Sequence, residues 1–215
     1  MKSIVILPNI SVCTMSEEFK NRKSYQAILA SGEALFWKFG IKRVSVEEIC
    51  KHAGVSKMTY YRMFKNKSEL VVLLISNWYS ESYAKHQATM ASALPFGKKV
   101  EALIVNEYEA SKDVSEEFLT EIFASEDPEL QQLNADLTRQ GLAETRKDFE
   151  KAQKAGDIRS DIKIDSIFYM IGVIHEKVQD PNFLALHNNP QEAILELINF
   201  FFYGILTPKA GLDEV

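Results

Sequence analysis

Apolar residues from Arg22 onward recur with the spacing of an α-helix, and no stretch of the chain alternates apolar and polar residues with a period of two. Ile28 and Phe39 belong to one such stripe, and Gly40 supplies the left-handed residue that commonly follows a helix. A first helix is therefore predicted over 22–39. Because strand-type alternation is missing from the sequence, we expect an all-α protein.

Two short helices joined by a tight turn are predicted next. Ser45 and Glu48 have the spacing of a capping box, in which each side chain bonds the other residue's backbone N–H at the start of a helix. Gly54 permits a tight turn after this second helix, and Ser56 can cap a third helix over 57–64. This order predicts a helix-turn-helix motif, whose second helix enters the major groove of DNA.

Charge is distributed unevenly along the chain. The net charge of the whole chain is −5, which by itself argues against nucleic acid as a partner. Residues 20–67, however, hold 11 Lys and Arg against three acids, a net charge of +8, whereas residues 68–215 carry −12. Such asymmetry is typical of a basic nucleic-acid-binding head on an acidic body. A solvated charged surface without a partner is the alternative interpretation.

Longer helices are predicted to follow the motif. A second capping pattern at 66–69 opens a helix that is expected to run to about Ala91 and to join the head to the body. Breaks that contain Pro or Gly separate the remaining helices from one another. These helices are predicted over 98–112, 115–124, 128–155, 166–179 and 191–206.

The last two of these helices carry more apolar surface than one core can cover. In the final helix, one stripe includes Ile198 and Ile205, and a second stripe includes Phe202 and Leu206. One stripe can face the subunit's own core, whereas the other needs an additional partner. We therefore predict a homodimer in which the helices near 166–179 and 191–206 pack against their copies as a four-helix bundle.

Residues 25–74 resemble the DNA-binding head of the tetracycline-repressor (TetR) family. The matching residues are Ile28-Leu29, Leu35-Phe36, Phe39-Gly40, Ser45-Val46-Glu47-Glu48-Ile49, Ala53-Gly54-Val55-Ser56-Lys57, Thr59, Tyr61, Phe64, Lys67 and Glu69-Leu70. The resemblance implies a homodimeric, all-helical transcription regulator, usually a repressor that a small molecule releases from its operator. Three regions are predicted, namely an N-terminal tail (1–20), a helix-turn-helix DNA-binding domain of three helices (21–67) and a helical ligand-binding and dimerisation domain (68–215).

The chain departs from the family pattern within the recognition helix. Met58, Tyr60 and Met63 stand where the family commonly has Gly, Leu and His, and Ser31-Gly32 replace a pair of alanines. The first three departures affect the expected operator sequence rather than the function. Tyr60 and Phe64, four residues apart, are expected to point inward, which leaves the other side chains of the helix to the DNA.

The DNA-contacting residues are predicted from the outer face of this helix and from the family's pattern. Arg62 is expected to make a bidentate bond to guanine, and Met58 or Met63 to touch a thymine methyl group. Tyr61 and Lys67 resemble the family's phosphate contacts, and Lys67 lies at a helix N-terminus, which favours anions. A solvated surface residue is the alternative for each position. The predicted contacts are Ser45, Lys57, Met58, Thr59, Tyr61, Arg62, Met63 and Lys67.

A small apolar or aromatic effector is expected in the body, mainly because of the family resemblance. Aromatic residues are frequent after residue 107, although an aromatic stripe at helical spacing more often forms plain core. His175 is a candidate polar group for orienting the ligand, and beside Glu176 it could instead form a surface or interface pair. The candidate ligand-binding residues are Tyr108, Phe118, Phe123, Phe149, Tyr169, Met170 and His175.

Other classes of protein are disfavoured. Because the chain has no nucleotide-binding glycine loop, no nucleophile elbow and no Cys or His spacing suited to zinc, we expect neither an enzyme nor a cofactor or metal. Cys13 and Cys50 offer no disulfide framework, and no apolar run could span a membrane, so a cytoplasmic protein is expected. Residues 1–14 match nothing in the family pattern, which suggests either an extension upstream of a start at Met15 or a disordered tail. A helical protein–protein scaffold that keeps the helix-turn-helix shape without regulatory DNA binding is the alternative function.

Overall fold

The chain folds into helices throughout the part that the structure, a computed structural model, describes: residues 22–111, 113–177, 180–188 and 190–207. The only other regular feature in these ranges is an isolated antiparallel bridge between Ile158 and Leu206. The predicted all-α class is confirmed, whereas the predicted tail at 1–20 lies outside the described residues. The helices are α1 (Lys23–Phe39), α2 (Val46–Ala53), α3 (Lys57–Tyr61), α4 (Lys67–Ala91), α5 (Phe96–Ser111), α6 (Glu116–Phe123), α7 (Pro128–Ala155), α8 (Ile164–Lys177), α9 (Pro181–Leu184) and α10 (Pro190–Ile205).

Two helices differ from the prediction. The third helix was expected over 57–64, but α3 ends at Tyr61, because the backbone N–H groups of Met63 and Phe64 both donate to the carbonyl of Tyr60 and close a turn. The short helix α9 was not predicted, because Pro181 was interpreted only as a helix breaker. Pro181 instead occupies the first position of α9, where its missing N–H costs nothing.

The chain divides into two compact units, but not at the boundary predicted between residues 67 and 68. The first unit comprises the described residues up to Ala84 together with Ala110–Gln140, and the second comprises Lys85–Glu109 together with the described residues from Gly141 onward. The first unit extends beyond the predicted boundary because side chains of α6 and α7 complete the core that α1–α4 begin. Those side chains are Phe118, Ile122, Leu130, Leu133 and Leu137.

The second unit has a separate core that is rich in aromatic rings. Phe149 of α7 lies between Phe96, Phe168 and Phe202, with ring centroids 5.4, 5.8 and 6.3 Å from its own. Edge-on and tilted contacts of this kind satisfy the opposite charges at the edge and face of aromatic rings. In the described part of the chain, no helix is both long enough and apolar enough to cross a membrane.

Candidate nucleic-acid interface

The helix-turn-helix begins with the capping box that the sequence predicts. The backbone N–H of Glu48 donates to Ser45 Oγ over 3.2 Å, and the N–H of Ser45 donates to Glu48 Oε2 over 2.8 Å. The bond that the Ser45 N–H donates favours the charged carboxylate and lowers the pKa of Glu48. The Ser45 hydroxyl also donates to Glu48 Oε2, so in this structure the Ser45 side chain is hydrogen-bonded within the cap of α2.

A left-handed glycine turns the chain between α2 and α3. Gly54 has φ 66° and ψ 31°, a conformation that side chains with a Cβ rarely adopt. The N–H of Val55 then donates to the carbonyl of Cys50, which fixes the turn. Ser56 caps α3 by accepting a hydrogen bond from the N–H of Thr59 over 3.1 Å. The two helices of the motif are thus joined as the sequence predicts.

The inner face of α3 and of the turn after it is anchored by aromatic rings. Tyr60 and Phe64 are fully buried, as predicted, and Phe64 stacks on Tyr25 of α1 with 5.6 Å between ring centroids. The Tyr60 hydroxyl donates to the carbonyl of Asn66, and burial raises the pKa of this phenol. These contacts hold α3 against the rest of the head. They therefore fix which side chains of α3 face the solvent.

Met63 does not lie on this outer face, contrary to the prediction. It is 3% exposed and belongs to the core of the first unit. The prediction assumed a helix that continued to residue 64, whereas α3 ends at Tyr61 and the turn at 62–63 directs the Met63 side chain inward. Met63 is therefore excluded as a direct contact to a base.

The outer face of α3 presents polar, aromatic and thioether groups to solvent. Met58 is 81% exposed, and Tyr61 and Arg62 are exposed beside it. Lys57 is exposed too, but its Nζ lies 2.6 Å from Glu47 Oε2 of α2, an ion pair that raises the pKa of Lys57. Exposed pairs of this kind contribute little to stability, so a phosphate could replace the carboxylate. Thr59 is half-buried, and its Oγ1 lies 3.0 Å from Ser56 Oγ.

Lys67 is bound to the loop between α1 and α2. Its Nζ donates to the carbonyls of Ile41 and Val44 over 2.6 and 2.9 Å. Partial burial of the ammonium lowers the pKa of Lys67. An ammonium group has three N–H donors, and these two bonds leave one for another acceptor. The residue predicted as a phosphate contact therefore also braces the backbone that leads into α2.

Glu121 of α6 binds the same loop. Lys67 donates to carbonyl groups of the loop, whereas Glu121 accepts from its N–H groups. Its carboxylate accepts hydrogen bonds from the backbone N–H groups of Ile41 and Lys42. Gly40, with φ 79°, leaves room for this approach, because a Cβ at that position would lie 2.9 Å from Glu121 Oε2. Glu121 was not predicted from the sequence, since the contact joins residues about 80 positions apart and no local pattern marks it.

The predicted ligand-binding residues whose side chains are described are divided between the two compact units. Phe118 is fully buried in the core of the first unit, and Phe123 is 78% exposed on the same helix. Phe149 lies in the core of the second unit, whereas Tyr169 and Met170 are exposed on α8. The prediction grouped these residues by type and region, whereas Phe118 and Phe149 belong to the cores of different units. The side chains of Tyr108 and His175 lie outside the described residues.

Metal-ligating side chains do not cluster in the ranges that the structure describes. No group of three or more His, Cys, Asp or Glu residues is arranged there so that it could hold a metal ion. The first unit instead offers a helix-turn-helix whose exposed side chains can contact DNA.

The family model for bacterial regulatory proteins of the tetR family matches residues 28–74, which contain the helix-turn-helix and the start of α4. A curated relative, the uncharacterized HTH-type transcriptional regulator YhgD of Bacillus subtilis (strain 168), is 34% identical over 73 residues, which are 34% of this chain and 38% of that protein. The HTH-type transcriptional repressor KstR2 of Rhodococcus jostii (strain RHA1) is 26% identical over 149 residues, 66% of this chain and 71% of that protein.

Solved structures extend the likeness of fold beyond the head. The complex of triclosan with SmeT, the repressor of the Stenotrophomonas maltophilia multidrug efflux pump SmeDEF, superimposes with a TM-score of 0.69. The superposition covers 90% of this chain and 97% of SmeT at 16% identity, so it shows a shared fold only. Residues 28–74 thus match the DNA-binding head of bacterial regulatory proteins of the tetR family, and the described helices share the all-helical fold of a solved repressor structure.

Proposed function

We propose that the protein is a homodimeric repressor that binds a near-palindromic operator and is released from it by a small apolar or aromatic ligand. The observation that carries the proposal is the outer face of α3, where Met58, Tyr61 and Arg62 are exposed while Tyr60 and Phe64 anchor the helix. The surrounding segment carries a net charge of +8 over residues 20–67, which attracts phosphate.

The DNA contacts divide by chemistry. Arg62 has the planar, bidentate donor group that matches guanine, and Met58 offers an apolar contact to a thymine methyl group. Tyr61 and Lys57 are proposed to contact phosphate, and the third N–H of Lys67 can donate to a phosphate oxygen next to the loop that Lys67 braces. Ser45 is the N-cap of α2, and Thr59 lies in the first turn of α3 beside the N-cap Ser56. Their hydroxyl groups are proposed to bond phosphate in addition to these local hydrogen bonds.

Selection of bound sequences from a random DNA pool tests this assignment. A two-fold dimer presents two copies of α3, so the selected site should be a near-palindrome whose half-sites lie about one helical turn, or a multiple, apart. Arg62→Ala should relax the preference at one base position in each half-site and weaken binding to the selected site by about 1–3 kcal/mol per contact.

The control for this experiment is Lys154→Ala, which removes an exposed positive charge from the end of α7. It should leave both the selected sequence and its affinity unchanged. Recovery of asymmetric sites, or equal loss of affinity for all sequences in Arg62→Ala, would contradict the proposed roles.

Dimerisation is proposed for an exposed apolar face on α8 and α10. Tyr169 and Met170 of α8 and Phe200 and Tyr203 of α10 are all exposed, with Phe200 at 73%. A groove of about 430 Å³ runs between the two helices and is lined by Phe200 and Met170. Exposed apolar surface of this kind marks an interaction site, and a second copy of the same face would cover it.

The effector is proposed to bind in the second unit, next to the aromatic core around Phe149. The SmeT complex with triclosan supports this idea, because that relative of the same fold binds an aromatic molecule. The ligand must bind better to a dimer whose recognition helices are misplaced for the groove, since equal affinity for both arrangements would shift nothing. Helix α4 contributes residues to both compact units, so it is the proposed carrier of the change.

Reciprocity provides the test of this mechanism. A library of apolar and aromatic compounds is screened by thermal shift, and each hit is titrated with and without operator DNA. Tenfold derepression requires about 1.4 kcal/mol of differential affinity, and operator should weaken ligand binding by the same factor. Hits whose affinity is the same with and without operator would eliminate induction by release.

A further inference from the structure

A pocket in the first unit lies between α1 and α4, and none of the predicted DNA contacts lines it. Its volume is about 250 Å³. Residues at helical spacing on each helix form it, so both helices present one face to the same space. The lining includes Leu29, Glu33 and Trp37 of α1, and Leu74, Trp78 and Glu81 of α4.

Two indole rings form the aromatic part of the pocket. Trp37 and Trp78 meet edge to face, with 5.7 Å between ring centroids and 60° between ring planes. Trp37 also lies 4.3 Å from the ring of the buried Phe118, which holds its indole in place. The face of an indole attracts cations more strongly than that of any other side chain. Both indole rings line the pocket, so an indole face turned towards its space would attract a positive charge.

Two carboxylates of like charge complete the pocket. Partial burial, and then the negative charge of Glu81, raise the pKa of Glu33. No Lys, Arg or His of the described residues forms an ion pair with Glu33 or Glu81. Two facing carboxylates repel each other, and a bound positive charge would relieve this repulsion. The electrostatics and the aromatic faces thus favour the same class of ligand.

We propose that this pocket binds a small organic ammonium cation. The carboxylates of Glu33 and Glu81 would balance the charge, the indole of Trp37 or Trp78 would contact the ammonium group, and Leu29 and Leu74 would contact its carbon substituents. An organic cation uses more of this lining than a calcium or magnesium ion would, because the indole and leucine side chains provide no oxygen ligands for a metal. The proposal goes beyond the proposed function, since the apolar effector is assigned to the second unit.

Intrinsic fluorescence measures occupation of this pocket directly, because Trp37 and Trp78 are the two tryptophans of the whole chain. The full-length protein is titrated with choline and, in parallel, with its uncharged isostere 3,3-dimethyl-1-butanol, at constant ionic strength. We expect a saturable change in tryptophan fluorescence with choline and none with the alcohol. Equal responses to both probes, or no saturable response to choline, would overturn the proposal.

A charge-matched pair of variants locates the binding. Glu33→Gln with Glu81→Gln should weaken choline binding by at least roughly tenfold, because it removes both negative charges from the pocket. Glu126→Gln with Glu150→Gln makes the same change in net charge at positions outside the pocket and should leave the affinity unchanged. Equal affinities in the two double variants would refute the site.

Circular dichroism establishes that each variant is folded before it is titrated. If the pocket variant does not fold, the comparison of choline with its uncharged isostere on the unmodified chain still decides the outcome. The titration contains neither DNA nor an apolar effector. Failure of the ammonium site and failure of the proposed repressor mechanism are therefore separate results.

Discussion

Phe118→Ala is expected to lower the free energy of unfolding of the first unit by about 3–5 kcal/mol. The Phe118 ring is fully buried and lies 4.3 Å from the ring of Trp37. Deleting it removes apolar burial and leaves a cavity between α6 and α1 that rigid helices cannot fill. Because Trp37 and Trp78 both lie in this unit, urea unfolding followed by tryptophan fluorescence reports the loss.

Phe123→Ala is the matched control, since it removes the same side chain from the same helix at a position that is 78% exposed. Its expected effect is within about 0.5 kcal/mol, as for most surface substitutions. If Phe118 instead lined an effector cavity, its truncation would change ligand affinity and leave the unfolding midpoint close to that of the unmodified protein. That outcome would restore the assignment made from the sequence.

Phe200→Asp is expected to dissociate the proposed dimer. The substitution places a charge on the apolar face of α10, and two-fold symmetry places it on both subunits at once. Loss of a central aromatic contact typically costs about 2 kcal/mol or more, which raises the dissociation constant of the dimer roughly 30-fold. Sedimentation velocity over a concentration series measures the change, and affinity for a palindromic operator should fall with it.

Leu94→Asp serves as the control for this variant, because Leu94 is an exposed apolar residue between α4 and α5 and not on the proposed interface. It should leave the dissociation constant unchanged. A Phe200→Asp protein that sediments as a dimer at the same concentrations as the unmodified chain would contradict the assignment of α8 and α10 as the dimer interface.

The helices were largely predictable because their signals are local. The capping box at Ser45 and Glu48, the left-handed Gly54 and the cap at Ser56 each act within four residues, and each is found where the pattern placed it. The end of α3 was not predictable in this way. Met63 lies inside because the chain turns at 62–63, and its side chain joins a core to which distant parts of the chain, α6 and α7 included, also contribute.

The sequence by itself determined the all-helical class, the helix-turn-helix and the basic character of the head, since periodicity, capping and charge are properties of neighbouring residues. Only the tertiary structure decided that α6 and the first half of α7 complete the core of the head, because that packing joins residues far apart in the chain. It also brought Glu121 and Lys67 to the same loop, and Glu33 and Glu81 to one pocket. Contacts of this kind depend on how whole helices pack, which no local pattern encodes.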